Sequence, residues 1–253
     1  MGANSKTVVV FSAGMMFGAY QAGAWSALAK ELRVDGVVGA SSGALNAWVV
    51  AGGCDPDTLR EMWLSNEIAS VTRLRAPLPP WSGIFDSKRL ERLVRGIYDS
   101  FRPRMEIGIV ATEVRNFRRR LFREEEITWR HLAASCAIPF GFQPVRIDDH
   151  FYTDGGMLGA LPLWAASEMG ATRIVAVLAM PRLPFALGRA VLKVVRAAAP
   201  ETSRVPLGLQ IEVIQPSEPM GSLRDLILWR RENAERWMDL GFRDGAEALR
   251  RLV

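Results

Sequence analysis

Short apolar runs alternate along the chain with longer segments in which apolar residues recur every three or four positions. The short runs are typical of buried strands, and the periodic segments are typical of helices that pack one face on a sheet. Five runs are predicted as strands: residues 7–11, 34–38, 105–114, 172–180 and 209–216. Seven segments are predicted as helices: residues 19–32, 43–53, 55–66, 87–101, 128–138, 163–170 and 230–253. This alternation predicts an α/β protein with a mainly parallel sheet and helices on both faces.

Three further segments have turn or hairpin character. The arginine-rich "RRRLF" at 118–122 is predicted as the hairpin partner of the preceding strand. The stretch "DDHFYTDGG" at 148–156 is predicted as a hairpin that closes into a turn. Residues 73–84 are rich in proline and are predicted as a loop, because proline cannot donate the hydrogen bonds of regular structure.

Length and composition favour one folded domain. The 253 residues are 49% hydrophobic and 23% charged, which is ordinary for a globular protein and excludes extensive disorder. A chain of this length can bury a large core, so we expect residues 1–253 to form a single domain.

Residues 7–29 and 36–54 carry no charge and could be mistaken for a signal peptide or a membrane span. Both contain polar side chains that would be costly to bury in lipid, and both alternate between strand, turn and helix patterns. We therefore expect a soluble, cytoplasmic domain. Cys54 and Cys136 have no spacing that suits a disulfide framework or a metal cluster, which fits a reducing compartment.

The net charge of +5 and the pI near 9.7 favour anionic partners. No nucleic-acid-binding motif accompanies the charge, so nucleic acid is not predicted as a partner. In residues 185–199 apolar and basic side chains lie on different faces of a helical pattern. This segment either packs on the domain or lies on an anionic membrane surface, which would make the protein a peripheral membrane protein.

The segment "VGASSGALNA" at 38–47 places two adjacent serines between two glycines. At a strand-to-helix junction, the G-x-S-x-G spacing is typical of a nucleophile elbow, whose sharp turn presents the middle serine. A polar turn with an N-capping serine would explain the same letters. As an elbow, the segment has Ser41 as its nucleophile and Ser42 as the donor of the next backbone N–H.

The sequence "YTDGG" contains a carboxylate that could serve as the base for such a serine. An aspartate accepts the serine proton directly when its carboxylate is within hydrogen-bonding reach. Asp154 followed by two glycines is equally typical of a turn in which aspartate caps its own backbone.

These motifs occur in a particular order. A glycine-bearing loop follows the first strand, and "GASSG", "ASCAIPFGFQPV", "YTDGGM", "LPLWAASEMGATRIVAV" and "LGFRDGAEAL" follow in turn. Together they resemble the patatin-like phospholipase family. The likeness extends from about residue 8 to residue 249 and is weakest at 73–84 and 181–206.

The resemblance implies a three-layer α/β/α sandwich that hydrolyses phospholipids, lysophospholipids or other fatty acyl esters. It implies a serine–aspartate dyad of Ser41 and Asp154, with no metal or organic cofactor. The backbone N–H groups of Gly14, Met15 and Ser42 would form the oxyanion hole. The glycines of the matching motifs are Gly18, Gly39, Gly43, Gly155 and Gly156.

The oxyanion loop departs from the family pattern of three glycines, two variable positions of which the second is basic, and a further glycine. The corresponding residues here are Ala13, Gly14, Met15, Met16, Phe17 and Gly18. Met15 would be strained if its position required a positive φ. The alternative function is therefore a degenerate family member that binds lipid or an anionic partner without turnover.

Two histidine-dependent alternatives also remain at this stage. His150 is four residues from Asp154 and could complete a triad with Ser41. A malonyl-transferase-like enzyme would share the elbow and would also need a histidine beside it. His131 is expected on a helix surface or in packing.

Overall fold

The structure is a computed structural model in which residues 5–74, 83–180 and 208–252 are described. The strands are β1 Thr7–Phe11, β2 Gly36–Ala40, β3 Glu106–Glu113, β4 Arg118–Arg123, β5 Val145–Ile147, β6 His150–Thr153, β7 Arg173–Val177 and β8 Gln210–Ile214. The described helices are α1 Gly18–Leu28, α2 Ser42–Ala51, α3 Pro56–Leu64, α4 Asn66–Val71, α5 Ser87–Ser100, α6 Trp129–Ser135, α7 Leu163–Glu168, α8 Leu223–Ile227 and α9 Arg231–Leu252. Short 3₁₀ turns lie at Met15–Phe17 and Glu124–Glu126.

The strands form one sheet in the order β5-β6-β3-β2-β1-β7-β8, and β4 also pairs with β3. The pairs among β3, β2, β1, β7 and β8 are parallel. The pairs of β3 with β4 and β6, and of β5 with β6, are antiparallel. The predicted mainly parallel sheet is confirmed, and so is the predicted hairpin return at 118–122.

Helices flank both faces of the sheet. Successive residues of a strand point to opposite faces, so one strand contributes to the core on each side. Val9 and Phe11 of β1 belong to a large core that includes residues of α1, α2, α3, α5, α6 and α9. Val8 and Val10 belong to a second core with Trp164 of α7. The sheet is thus the middle layer, as predicted for an α/β/α sandwich.

Two short helices, α4 and α8, were not predicted. Each begins at a serine whose hydroxyl accepts a hydrogen bond from a backbone N–H: Ser65 from Ile68 and Ser222 from Asp225. Both helices have fewer than seven residues, which is too short for an apolar periodicity to stand out in the sequence. The predicted helix at 19–32 ends at Leu28, and Leu32 remains buried after a turn.

Two predictions lie outside the described residues: the amphipathic helix at 185–199 and most of the loop at 73–84. At the described ends of that loop, Leu74 and Phe85 form an isolated antiparallel bridge. Every helix in the described ranges is too short or too polar to span a lipid bilayer.

Among the described helices, α1 and α9 make the most extensive contact. A Cβ atom at Gly23 would lie 1.9 Å from the carbonyl oxygen of Met238, and one at Gly241 would lie 2.0 Å from that of Tyr20. Only glycine permits this approach. The hydroxyl of Tyr20 also donates a hydrogen bond of 2.9 Å to Asp244 of α9. This seam holds α1 against α9.

Candidate active site

Ser41 is the single residue between β2 and α2, and its backbone is strained. Its φ is 57° and its ψ is −131°, a combination that L-residues avoid and that costs about 1–3 kcal/mol. The serine is only 3% exposed. The predicted strand–turn–helix elbow is therefore present, with Ser41 at its apex and Ser42 as the first residue of α2.

The glycines on either side allow α2 to start against the ends of the strands. A Cβ atom at Gly39 would lie 2.1 Å from the carbonyl oxygen of Gly43. A Cβ atom at Gly43 would lie 2.4 Å from the carbonyl oxygen of Phe11, the last residue of β1. Any side chain at either position would force the elbow away from the sheet.

Asp154 follows β6 and is held in a buried turn. Its backbone N–H donates to the carbonyl oxygen of Ala137 at 3.0 Å, and its own carbonyl accepts from the Thr112 hydroxyl at 2.9 Å. Its Oδ1 accepts from the N–H of Gly156 at 2.8 Å. Its Oδ2 is buried and makes no hydrogen bond with the described residues. The turn is therefore fixed while one carboxylate oxygen stays open.

Both glycines after Asp154 are in close contact with the sheet and the first loop. A Cβ atom at Gly155 would lie 2.0 Å from the carbonyl oxygen of Val110 in β3. One at Gly156 would lie 2.3 Å from the Cβ atom of Ala13. The turn at Asp154 can consequently approach both β3 and the loop after β1.

Burial raises the pKa of Asp154 from 3.8 to about 6. The Ser41 hydroxyl lies near enough to oppose this rise, and so does the N–H of Gly156. With that pKa, the carboxyl group is mostly ionised at pH 7. The group is thus a proton acceptor at neutral pH, with a pKa nearer to neutrality than that of an exposed aspartate.

The loop after β1 brings the predicted oxyanion-hole residues to the elbow. Met15 has a φ of 47°, which confirms that a non-glycine residue is strained at this position. A Cβ atom at Gly14 would lie 3.6 Å from the Oγ of Ser42, so loop and elbow are in contact. At Gly18, a Cβ atom would lie 2.4 Å from the ring of Trp63.

The three predicted oxyanion donors have no acceptor in the described part of the chain. Within the described residues, the N–H groups of Gly14, Met15 and Ser42 donate to no acceptor. The Ser42 N–H is also at the N-terminus of the ten-residue helix α2, where the helix dipole favours negative charge.

An apolar cavity of about 50 Å³ opens beside the serines. Its wall is formed by Met15, Met16, Ser41, Ser42, Leu45, Trp63, Ile68, Val71, Thr72, Leu90, Leu93, Cys136, Ile138 and Phe142. Half of these residues come from helices α2, α3, α4 and α5, and the others lie in turns and loops. The sequence carries no local signal for this wall, because four separate helices contribute to it.

The two histidines have partners elsewhere. His150 Nδ1 lies 3.2 Å from Oε1 of Glu113, and the His150 side chain is 53% exposed. His131 Nδ1 accepts from the N–H of Thr128 at 3.0 Å and caps α6, and burial lowers its pKa. Neither histidine hydrogen-bonds to Ser41 or Asp154, so the geometry offers no triad.

The described fold is thus a mainly parallel sheet flanked by helices, with a serine at a strained elbow and a buried carboxyl group beside it. The family model for patatin-like phospholipase matches residues 9–167, more than half of the chain. The chain belongs to the patatin-like phospholipase family. Membership assigns it to a class of lipid hydrolases.

The solved structure of VipD supports the fold. VipD from Legionella pneumophila is similar with a TM-score of 0.57 and 13% sequence identity, over 98% of this chain and 67% of VipD. The type III effector protein ExoU matches with a TM-score of 0.47 and 13% identity. That match covers 98% of this chain but only 53% of ExoU, so the chain spans about half the length of ExoU.

Proposed function

We propose that the protein hydrolyses fatty acyl esters, of the phospholipid or lysophospholipid kind, through an acyl-enzyme on Ser41 with Asp154 as the base. One observation carries the proposal. The strained Ser41 lies beside a buried carboxyl group whose Oδ2 has no other hydrogen-bond partner among the described residues. A strained backbone and an open buried acceptor both cost stability, and such costs concentrate at functional sites.

In the first half-reaction, Ser41 Oγ attacks the ester carbonyl carbon while its proton passes to Asp154. The tetrahedral intermediate collapses, and the leaving alcohol takes that proton from Asp154. In the second half-reaction, Asp154 accepts a proton from water as the water oxygen attacks the acyl carbon. Collapse releases the fatty acid and returns the proton to Ser41. The scheme uses no metal or organic cofactor.

The negative charge of each tetrahedral intermediate develops on the former carbonyl oxygen. The N–H groups of Gly14, Met15 and Ser42 are the donors that we assign to it. Such donors act through the backbone, so a methionine side chain at position 15 does not remove one. Met15 and Ser41 both line the apolar cavity, which would hold the part of the acyl chain that is next to its carbonyl group.

A fluorophosphonate probe tests the nucleophile, because it reacts covalently with activated serines. We expect peptide mapping to find the label on Ser41 alone. Ser41→Ala should abolish both labelling and hydrolysis of a nitrophenyl ester, whereas Ser26→Ala, which changes a partly buried serine of α1, should preserve both. Label on Ser42, or no label on folded protein, would contradict the proposal.

A second candidate function is lipid binding without turnover, and the strained Met15 in the oxyanion loop favours it. In that case, the folded wild-type protein would resist the probe and would not hydrolyse esters. It would nevertheless bind a fluorescent fatty acid, and Ser41→Ala would bind it equally well.

We also propose that the cavity mouth contacts an anionic membrane surface. Phe140 is 84% exposed, and Leu74 and Ile84 are more than half exposed. The N–H of Ile84 bonds to the Phe140 carbonyl oxygen at 3.1 Å, so the two lie together. In the chain, Phe140 is two residues from Ile138 and two from Phe142, which both line the cavity. The exposed Arg73 and Lys88 flank this apolar patch in the chain.

Vesicle sedimentation tests this contact. Phe140→Asp should weaken binding to phosphatidylglycerol vesicles, because it places a negative charge in the apolar patch. The matched control is Phe242→Asp, which changes an aromatic residue of α9 that is 51% exposed. Equal binding by the two variants would contradict a membrane contact at the cavity mouth.

A further inference from the structure

Ser135 connects three parts of the candidate site. It is the last residue of α6 and is fully buried. Its Oγ accepts a hydrogen bond from the backbone N–H of Ser41 at 2.9 Å and donates one to the carbonyl oxygen of Val110 at 2.6 Å. Its carbonyl oxygen accepts from the N–H of Gly155 at 3.1 Å. The elbow, strand β3 and the carboxylate turn therefore meet at this one residue.

The Ser135 hydroxyl has a single proton, and its hydrogen bond to the Val110 carbonyl oxygen uses that proton. Because the proton is donated to Val110, the oxygen can only accept from Ser41. The Ser41 N–H lies outside both β2 and α2, and neither element supplies it with an acceptor. A buried N–H without a partner is unfavourable, so this bond favours the strained elbow conformation over alternatives.

The carbonyl of Ser135 is available for Gly155 because of the proline that follows. In a continuing helix, this carbonyl would accept from the N–H four residues later. Residue 139 is proline and has no N–H, so the helix ends and the carbonyl is free for another donor. Ala137, two residues further, accepts from the N–H of Asp154. The end of α6 thus holds both residues of the Asp154–Gly155 pair.

We propose that Ser135 is a positioning residue that holds the Ser41 elbow and the Asp154 turn in register with each other. The inference rests on the proposed function of Ser41 and Asp154 and adds a residue that does not touch the reacting atoms. Through one side chain and one carbonyl, Ser135 sets the distance between the nucleophile and its base.

The test compares kinetics with a local measure of structure. In Ser135→Ala, we expect kcat for a nitrophenyl ester to fall about 100-fold, the effect of misplacing a reacting group by about 1 Å, with KM within about twofold of wild type. Amide hydrogen exchange at Ser41 should become at least about tenfold faster, because the N–H has lost its acceptor. The control Tyr20→Phe removes a buried hydroxyl from the seam between α1 and α9 and should change neither quantity.

A second pair of variants separates the effect of the Ser135 hydroxyl from the effect of side-chain packing. Threonine and valine have the same shape and differ in the hydroxyl, so Ser135→Thr should retain far more turnover than Ser135→Val. Equal kcat in that pair, or a Ser135→Ala variant with wild-type kcat and wild-type exchange at Ser41, would overturn the inference. If the wild-type protein neither hydrolyses esters nor reacts with a fluorophosphonate, the proposed function fails. In that case, comparing amide hydrogen exchange at Ser41 between Ser135→Ala and the wild-type protein still tests whether Ser135 holds the elbow.

Discussion

Two buried aspartates show how differently this fold treats the same side chain. Asp244 of α9 accepts hydrogen bonds from the Tyr20 hydroxyl at 2.9 Å and from the Ser217 N–H at 3.1 Å. Asp154 accepts one bond on Oδ1, and its buried Oδ2 has no hydrogen-bond partner in the described part of the chain. The first carboxylate joins helix α9 to two other segments. The second retains an open acceptor close to Ser41, as a proton acceptor requires.

The backbones of the two regions differ in the same way. Between α1 and α9, glycines allow very close approach, yet Gly23 and Gly241 keep helical dihedral angles. In the candidate site, Ser41 and Met15 both have positive φ without being glycine. In the seam, the close approach is achieved with ordinary helical backbone. In the candidate site, strain and an open acceptor persist because the surrounding packing holds them, and such costs are concentrated at functional sites.

The largest effect is expected from Asp154→Asn. Asparagine keeps the shape and the acceptor for the Gly156 N–H but cannot take a proton at neutral pH. Hydrolysis should fall by about 100-fold or more, the range for loss of a general base. Steady-state kinetics on folded protein measure it, and wild-type-like turnover would leave Asp154 as a turn residue only.

The same substitution should stabilise the protein. Since burial raises the pKa of Asp154 from 3.8 to about 6, ionising it in the folded state costs about 3 kcal/mol at neutral pH. The raised pKa means that the folded state favours the neutral carboxyl group of Asp154. The contribution of this group to the free energy of unfolding is therefore present in full below about pH 4 and is lost as the pH rises through about 6. The gain in melting temperature of Asp154→Asn should therefore be large at pH 7.5 and small at pH 4. If Asp154→Asn lost stability at pH 7.5, the ionised Asp154 would stabilise the fold as Asp244 does, and the contrast between the two aspartates would be wrong.

The pH profile of the wild-type enzyme should show the base directly. Because Asp154 must be ionised to accept a proton, kcat/KM should fall about tenfold per pH unit below about pH 6. Circular dichroism at each pH checks that the fold persists. A profile that stays flat between pH 7 and pH 5 would require a different base.

Asp244→Ala should lower stability and preserve turnover, the opposite of what we expect for Asp154→Asn. It leaves the buried Tyr20 hydroxyl and the Ser217 N–H without an acceptor, so stability should fall by about 1–3 kcal/mol. Turnover at a temperature where the protein is folded should stay within about twofold of wild type. The control is Asp239→Ala on the same helix, where the side chain is 70% exposed and little change in melting temperature is expected.

His150→Ala should have the smallest effect on turnover, within about threefold of wild type, because His150 pairs with Glu113 rather than with the dyad. Treatment with a chelator should likewise leave ester hydrolysis unchanged. A loss of several orders of magnitude in folded His150→Ala would replace the dyad with a triad.

Local pattern predicted the elements that carry the candidate site. The apolar run before Ser41, the G-x-S-x-G spacing and the Asp-Gly-Gly turn each depend on neighbours in the sequence, so they were visible there. The caps at Ser65 and Ser222 are equally local but start helices too short to be recognised. Ser135 lies in the quoted stretch "ASCAIPFGFQPV", but its positioning role had no local signal, since its hydrogen-bond partners lie 94 and 25 residues away in the chain.

By itself, the sequence determined the order of strands and helices, the elbow with Ser41 and the turn with Asp154. It did so because hydrophobic periodicity and glycine spacing act over a few residues. Only the tertiary structure decided that Asp154 keeps an open oxygen beside Ser41, that Ser135 joins their two turns, and that four helices wall one apolar cavity. Burial, desolvation and hydrogen bonding between distant segments are properties of the packed chain, and these turn a serine and an aspartate into a candidate catalytic pair.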